Sequence, residues 1–379
     1  MHPASGLTAE ILTGIDAVPA ATWDALAPPD DPMWAREVFA AMERGAIGPD
    51  GYAYAVVREA GRTVALLPLA AVRGLRLDRV VGERERRLLA PVRRLCPGVL
   101  RVPMLFCGNF LGQGHVLSRG PLSAPVARLL VRTVLDHARR HRLGTVVLKD
   151  FAPGELAALR PALEPAGFFL LPSMPDTELA LEYASFDAYV AALPAKARRN
   201  VRSKVRKFRA RDDLRIEVLD DFTGLVPDML ELYRQVMARA EQTLDVLDAS
   251  FLRALARPGG PEQRLVACFE GDRLVAYLHC LFRGDGAVGA RIGLDYRLAH
   301  EAHLYHHVHY AAIELAIARG CRHIRFAQTA YEPKRELGCA LVEQRYALTH
   351  LRPLPRAVLR RLLPRALGAA LTRTLAPRS

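Results

Sequence analysis

The chain repeats itself, and that repetition limits its possible folds more than any other feature. Tyr52-Ala-Tyr-Ala-Val-Val-Arg58, Glu59-Ala-Gly-Arg62 and Thr63-Val-Ala-Leu-Leu67 return as Arg264-Leu-Val-Ala-Cys-Phe269, Glu270-Gly-Asp-Arg273 and Leu274-Val-Ala-Tyr-Leu278. Each copy is an apolar run, a Gly-bearing turn and a second apolar run, which is how a β-hairpin reads. The two turns lie 211 residues apart. A second echo sets Val134–Leu148 on Ala312–Phe326 at an offset of 178 residues. Each member of that pair is an amphipathic helix followed by a short strand with apolar residues at alternate positions. The smaller offset means that the first half holds extra residues between hairpin and helix. They fall in 72–120, a long irregular segment with the charged run Arg84-Glu-Arg-Arg87 and the Gly-rich Cys107-Gly-Asn-Phe-Leu-Gly-Gln-Gly114.

Hairpin, helix and strand, twice over, predict an α/β chain leaning to α+β: two tandem domains, each a mixed sheet flanked by helices. A length of 379 residues suits two domains. Pro153, Pro161, Pro165, Gly167, Pro172 and Pro175 mark the join, with a helix over Glu155–Leu163 between these breakers. The expected division is 1–175, 176–352 and a basic amphipathic tail, 353–379.

A net charge of +13 favours anionic partners: nucleic acid, phosphorylated donors or an anionic membrane surface. Much of that excess is Arg in an Ala/Leu/Arg-rich composition, so charge alone does not single out RNA. The six cysteines (Cys96, Cys107, Cys268, Cys280, Cys321, Cys339) form no C-x-x-C pair, and several sit inside apolar runs. That is the pattern of reduced, buried thiols and favours the cytosol. No basic-then-apolar leader opens the chain, and no apolar run reaches the roughly 18 residues of a membrane span.

Three segments could carry chemistry. Lys196–Arg211 holds nine basic residues in sixteen, with Val201, Val205 and Phe208 on one stripe. It reads as a helix with a buried face and a basic face, the latter either merely solvated or a dock for phosphates such as those of RNA. Gly293–Tyr310 leaves a strand and enters a helix with five histidines. His303 and His307 share a helix face, but no H-E-x-x-H and no obvious third ligand accompany them, so no metal is expected. Phe326-Ala-Gln-Thr-Ala-Tyr331-Glu-Pro-Lys334-Arg-Glu-Leu-Gly338 leaves a strand and starts a short helix. That kind of junction is where α/β proteins place ligands, unless Lys334 is only a surface cap.

With these residues in view, the second half resembles the GNAT-like acyltransferase superfamily. It is most similar to the Fem-type peptidyltransferases and related N-acyltransferases. The resemblance rests on Ser185-Phe-Asp-Ala-Tyr189 with Leu193-Pro-Ala-Lys196, on the Glu270–Arg273 hairpin, and on Tyr331–Gly338, which is similar to the family's Lys-x-x-(aromatic or Leu)-Gly element. It covers about 178–350, and reaches the first half only through the duplication. Acetyl-CoA-dependent members carry a Gly-rich pyrophosphate loop where this chain has Arg297-Leu-Ala-His-Glu-Ala302. Without Gly the backbone cannot be approached as closely, and Glu301 would face a phosphate.

The resemblance implies attack of an amine on an activated acyl group, in the second domain, beside a degenerate first one. No tightly bound cofactor is implied; the co-substrate would be acyl-CoA, a carrier thioester or aminoacyl-tRNA. Asp295 or Glu301 would accept the proton, Lys334 would stabilise the oxyanion or leaving group, and Tyr331 would donate a hydrogen bond. Tyr296 and Gln328 would line the cleft, and Lys196, Arg199 and Arg202 would hold phosphates. The alternative is a non-catalytic GNAT-fold module that binds nucleic acid or a phosphorylated ligand. The tail reads as one apolar stripe (Val358, Leu359, Leu362, Leu363, Leu367) opposed by arginines, kinked at Pro364, and either docked on its own protein or peripheral to an anionic membrane.

Overall fold

The computed structural model describes residues 6–76, 101–239, 246–255 and 261–376. Arg84–Arg87 and Cys96 lie outside that range. Both hairpins form where alternation places them: β2 (Gly51–Glu59) with β3 (Arg62–Arg76), and β9 (Glu262–Glu270) with β10 (Arg273–Arg283). The helix-to-strand echo is equally plain, as helix Ala124–Arg140 with β5 (Thr145–Phe151) and helix Leu304–Ala318 with β12 (His323–Arg325). The helix expected over Glu155–Leu163 runs Pro153–Leu163.

The remaining strands are β1 (Leu7–Thr13), β4 (Arg101–Cys107), β6 (Phe169–Pro172), β7 (Asp176–Ala180), β8 (Leu214–Leu219), β11 (Gly286–Leu294), β13 (Ala340–Val342) and β14 (Arg345–His350). They build two seven-stranded mixed sheets, in the orders β1-β2-β3-β4-β5-β14-β6 and β8-β9-β10-β11-β12-β7-β13. The two orders match position for position once β7 and β14 are exchanged. Each half lends a strand to the other: β7 lies antiparallel to β12 and β13, and β14 antiparallel to β5 and β6. Only residues 173–175 and 343–344 separate the lent strands from their predecessors, so the sheets must stand side by side. Arg345–His350, expected with the second domain, therefore pairs in the first sheet. Nothing local in a six-residue strand says which sheet it will join.

The apolar core follows this layout. One cluster continues across both halves, with Trp23, Trp34 and Phe39 beside Tyr233, Phe251 and Tyr277, while separate clusters cover the outer face of each sheet. A buried ion pair, Arg325 to Asp31 at 2.6 Å, ties β12 to the first half. Helix Ala195–Arg209 buries Val201 and packs Val205 and Phe208 on the second core, leaving its basic face outward. The tail is one helix, Pro353–Leu375, running through Pro364 without interruption. Leu359, Leu363 and Leu367, on either side of Pro364, pack on the shared core. No described helix is long and apolar enough to cross a membrane.

Candidate active site

β11 and β12 pair in parallel for three residues only, Gly286–Val288 against His323–Arg325. Beyond that point β11 runs on to Leu294 while β12 ends, and the gap becomes a cavity of about 450 Å³. Both halves line it. Gln113, Lys149 and Asp150 come from the first half, and Asp176 from the start of the lent strand β7. Arg291, Tyr296, Tyr305, His309, Gln328 and Lys334 come from the second.

The segment following β12 is wound in an uncommon way. Ala327, Thr329 and Ala330 all have left-handed backbone, with φ of 57°, 69° and 47°. Each such non-glycine residue costs about 1–2 kcal/mol, so something must hold the loop. Lys334 does. Its buried Nζ donates to the carbonyls of Phe326 (2.6 Å), Ala327 (2.9 Å) and Gln328 (3.1 Å), which uses all three ammonium protons. Burial pushes this ammonium down to about 8, against the pull of the nearby Asp176 carboxylate. In a trans peptide the N–H points opposite its carbonyl. Gathering those carbonyls on Lys334 therefore turns the next amides the other way. The N–H groups of Ala327 and Gln328 find no acceptor among the described residues, and both residues line the cavity. Successive free amides in such a turn make an anion-binding concavity.

His309 lies in the same wall. Its Nδ1 is 2.6 Å from the Tyr305 carbonyl, which can only accept, so Nδ1 carries the proton and Nε2 keeps its lone pair. Burial above all, with the charges of Lys334 and His306, brings its pKa down to about 3 against the Tyr305 bond, so the ring is neutral at physiological pH. The Tyr305 hydroxyl is buried with no hydrogen-bond partner among the described residues. Asp176 is oriented by Gln113 Nε2 (2.7 Å) and by the Thr177 N–H (2.7 Å).

The structure brings some of the expected residues together here and sets others apart. Lys334, Gln328 and Tyr296 line the cavity, with Gln328 donating to the Met174 carbonyl and the Gln344 side chain, and Arg239 lying 3.7 Å over the Tyr296 ring. Tyr331 is buried behind the loop, its hydroxyl donating to the Pro175 carbonyl at 2.9 Å. Asp295 is outside the cavity. Burial would raise its carboxyl, but Arg297 and Arg273, at 2.7 and 2.6 Å, overcome that and hold it at about 2. A carboxylate so held is a poor proton acceptor. Glu301 is exposed and pairs with Arg211 at 2.8 Å, also away from the cavity. Neither has the placement expected of a catalytic base. Lys196, Arg199 and Arg202 lie on the exposed face of helix Ala195–Arg209. A Lys204–Glu336 pair at 3.0 Å anchors that helix beside the Lys334 loop.

The sequence reading passed over His309, Asp176, Gln113 and Asp150. His309 was visible only as one of five histidines, and the first-half residues carried no local sign that they would face the second sheet.

Comparison with known proteins agrees with this geometry. Residues 195–335 match the family described as an acetyltransferase (GNAT) domain. Among solved structures, FemX superposes with a TM-score of 0.55 at 12% identity, covering 89% of this chain and 96% of its own. A tandem GNAT protein from the clavulanic acid biosynthesis pathway gives 0.53 at 15% identity, covering 91% and 99%. The C-terminal domain of a putative lysylphosphatidylglycerol synthetase from Agrobacterium fabrum gives 0.50 at 10% identity, covering 95% and 98%. A search of curated proteins finds no match. The fold and the splayed cavity thus define a tandem GNAT-fold protein. More particularly, residues 195–335 match a GNAT acetyltransferase domain, and the chain shares its two-domain fold with FemX and the tandem GNAT protein.

Proposed function

We propose that the chain transfers an acyl or aminoacyl group from an activated donor to an amine in this cavity. The observation that carries the proposal is the left-handed loop wound on Lys334, with the Ala327 and Gln328 amides free. As the amine attacks, the carbonyl oxygen becomes an oxyanion, and two preset backbone donors are what such charge needs. His309 Nε2, uncharged and with its lone pair free, accepts a hydrogen bond from the attacking nitrogen and orients it, while the proton that nitrogen gives up passes, through water, to the departing oxygen or sulfur. The Tyr305 hydroxyl is placed to donate to the departing group. Lys334 is a positioning residue, since its own protons are spent on carbonyls. The catalytic half is then 176–352, and the first half supplies a wall of the cavity through Gln113, Lys149 and Asp150.

For the donor, the turn that would cradle a pyrophosphate has most of its amides already engaged. In the turn ahead of helix Leu304–Ala318, the amides of Leu298, Ala299, Ala302 and His303 donate to carbonyls of the same turn. The basic helix, anchored beside the loop, suits a phosphodiester chain instead. Charged tRNA is therefore the preferred donor, in the cytoplasm, with a CoA or carrier thioester as the other reading. Acetyl-CoA and a pool of charged tRNA, each offered with hydroxylamine as a small nucleophilic amine, separate the two. The proposal predicts enzyme-dependent release of free tRNA from the charged pool. Release of CoA thiol instead would move the donor to the thioester. Neither product, with tight salt-sensitive RNA binding, would leave a binding module.

A further inference from the structure

The tail helix Pro353–Leu375 is apolar on two sides. Leu359, Leu363 and Leu367 face inward and pack on the core shared by the two halves, and Arg360 lies over the Phe169 ring of β6. Leu354, Val358 and Leu362 face outward, 75%, 49% and 58% exposed. They stand four residues apart, so the helix stacks them in one line of about 12 Å. The stripe expected from sequence thus splits: Val358 and Leu362 belong to the solvent side. Arg361 and Arg365 are exposed next to this line. The helix holds five arginines and no Asp or Glu.

We propose that this outer stripe docks the protein on an anionic lipid surface, with the helix lying flat in the headgroup region. Two observations favour lipid over a second copy of the chain. Three side chains fall far short of the roughly 800 Å² per partner of a stable protein interface. Two copies packed through this helix would also set arginine against arginine with no acid to compensate, whereas anionic headgroups neutralise both flanks. A short apolar line with basic shoulders is the pattern of helices that lie in a membrane interface. Because the inner stripe already anchors the helix, binding does not need to order it first. At its far end the helix meets the active-site half, where Arg335, next to Lys334, donates to the Leu375 carbonyl at 3.2 Å.

The proposal stands independently of the proposed chemistry and is tested by flotation of the full chain with vesicles. It predicts binding to phosphatidylcholine vesicles containing phosphatidylglycerol, suppressed by salt, and little binding to phosphatidylcholine alone. The variant Leu354→Ser/Val358→Ser/Leu362→Ser should bind at least tenfold more weakly with little change in unfolding temperature, because these side chains are half to three-quarters exposed. Arg361→Glu/Arg365→Glu should lose the preference for the anionic vesicles. No flotation of the unaltered chain, or undiminished flotation of either variant, overturns the proposal. So does a dimer of the unaltered chain that the triple serine variant converts to monomer.

Discussion

The same corner of the fold, where the fifth strand of each sheet ends, has been put to opposite uses in the two halves. In the first half β5 carries Asp150 with left-handed backbone, φ 57°, and in the second Ala327, one position earlier in the 178-residue register, follows β12 at the same φ. Around Asp150 the corner is filled. Its carboxylate pairs with Lys149 at 2.5 Å and accepts from the Ser173 hydroxyl, and the Gly114 N–H donates to its carbonyl at 2.9 Å. A Cβ on Gly114 would lie 2.1 Å from the Lys149 carbonyl, so only glycine allows that approach. Around Ala327 the polar side chain is a cation that gathers carbonyls and leaves amides unfilled. One corner is closed by an anion accepting donors; the other is held open by a cation. The difference teaches that a duplicated fold keeps its strained junction in both copies, while the charge beside it decides whether that junction is structure or site.

Breaking the open corner should have the largest effect. Lys334→Met removes the cation that holds three carbonyls, and the loop should lose its amide geometry. Transfer should fall on the order of 100–1000-fold in kcat, the usual cost of an oxyanion donor, measured in single turnover on a proven donor. Near-normal kcat would end the comparison as drawn.

Breaking the closed corner should affect stability instead. Asp150→Asn leaves the Lys149 ammonium without its carboxylate and should cost about 1–3 kcal/mol in denaturant unfolding. The folded variant should keep kcat within a few fold, because the Asp150 carboxylate lies in the cavity wall but is bonded to Lys149 and Ser173 and not to the Lys334 loop. A large kcat loss at full stability would show that both corners are catalytic.

Titration sharpens the same contrast. The Lys334 value of about 8 lies below its ordinary 10.5. Between those pH values the unfolded chain binds the extra proton, so this group adds stability as pH rises through that window. The loop meanwhile loses its cation. Transfer should therefore decline above about pH 8 while the contribution of Lys334 to stability increases, and Lys334→Met should remove both trends. Parallel pH series of kcat and of chemical unfolding read the two directions.

The smallest effect on chemistry is expected on the basic helix. Arg199→Glu/Arg202→Glu should raise KM for charged tRNA and flatten its salt dependence, with kcat unchanged, because these residues add uniform binding. A kcat effect with unchanged KM would move them into the reacting site.

Much of this architecture is written locally. The hairpins, the amphipathic helices and the basic helix follow from residue periodicity, which depends on near neighbours. The exchange of β7 and β14 is not legible, because strand pairing is settled between segments more than a hundred residues apart, as Arg345 is from Phe151. Lys334 could be singled out by its position after a strand, yet its role could not. Whether an ammonium faces a substrate or the backbone depends on a left-handed loop that no Gly in 327–330 announces. Asp295 misled because a carboxylate just past a strand looks available until Arg273 and Arg297 close on it.

The central claim is that the Ala327 and Gln328 amides receive the developing oxyanion. Backbone amide NMR of the labelled protein, titrated with an aminoalkyl phosphonate monoester that mimics the tetrahedral adduct, tests it most directly. The account predicts that these two amide resonances move downfield together and saturably, and that Lys334→Met abolishes the shift. Saturable phosphonate binding in the cavity with both resonances unmoved would contradict it.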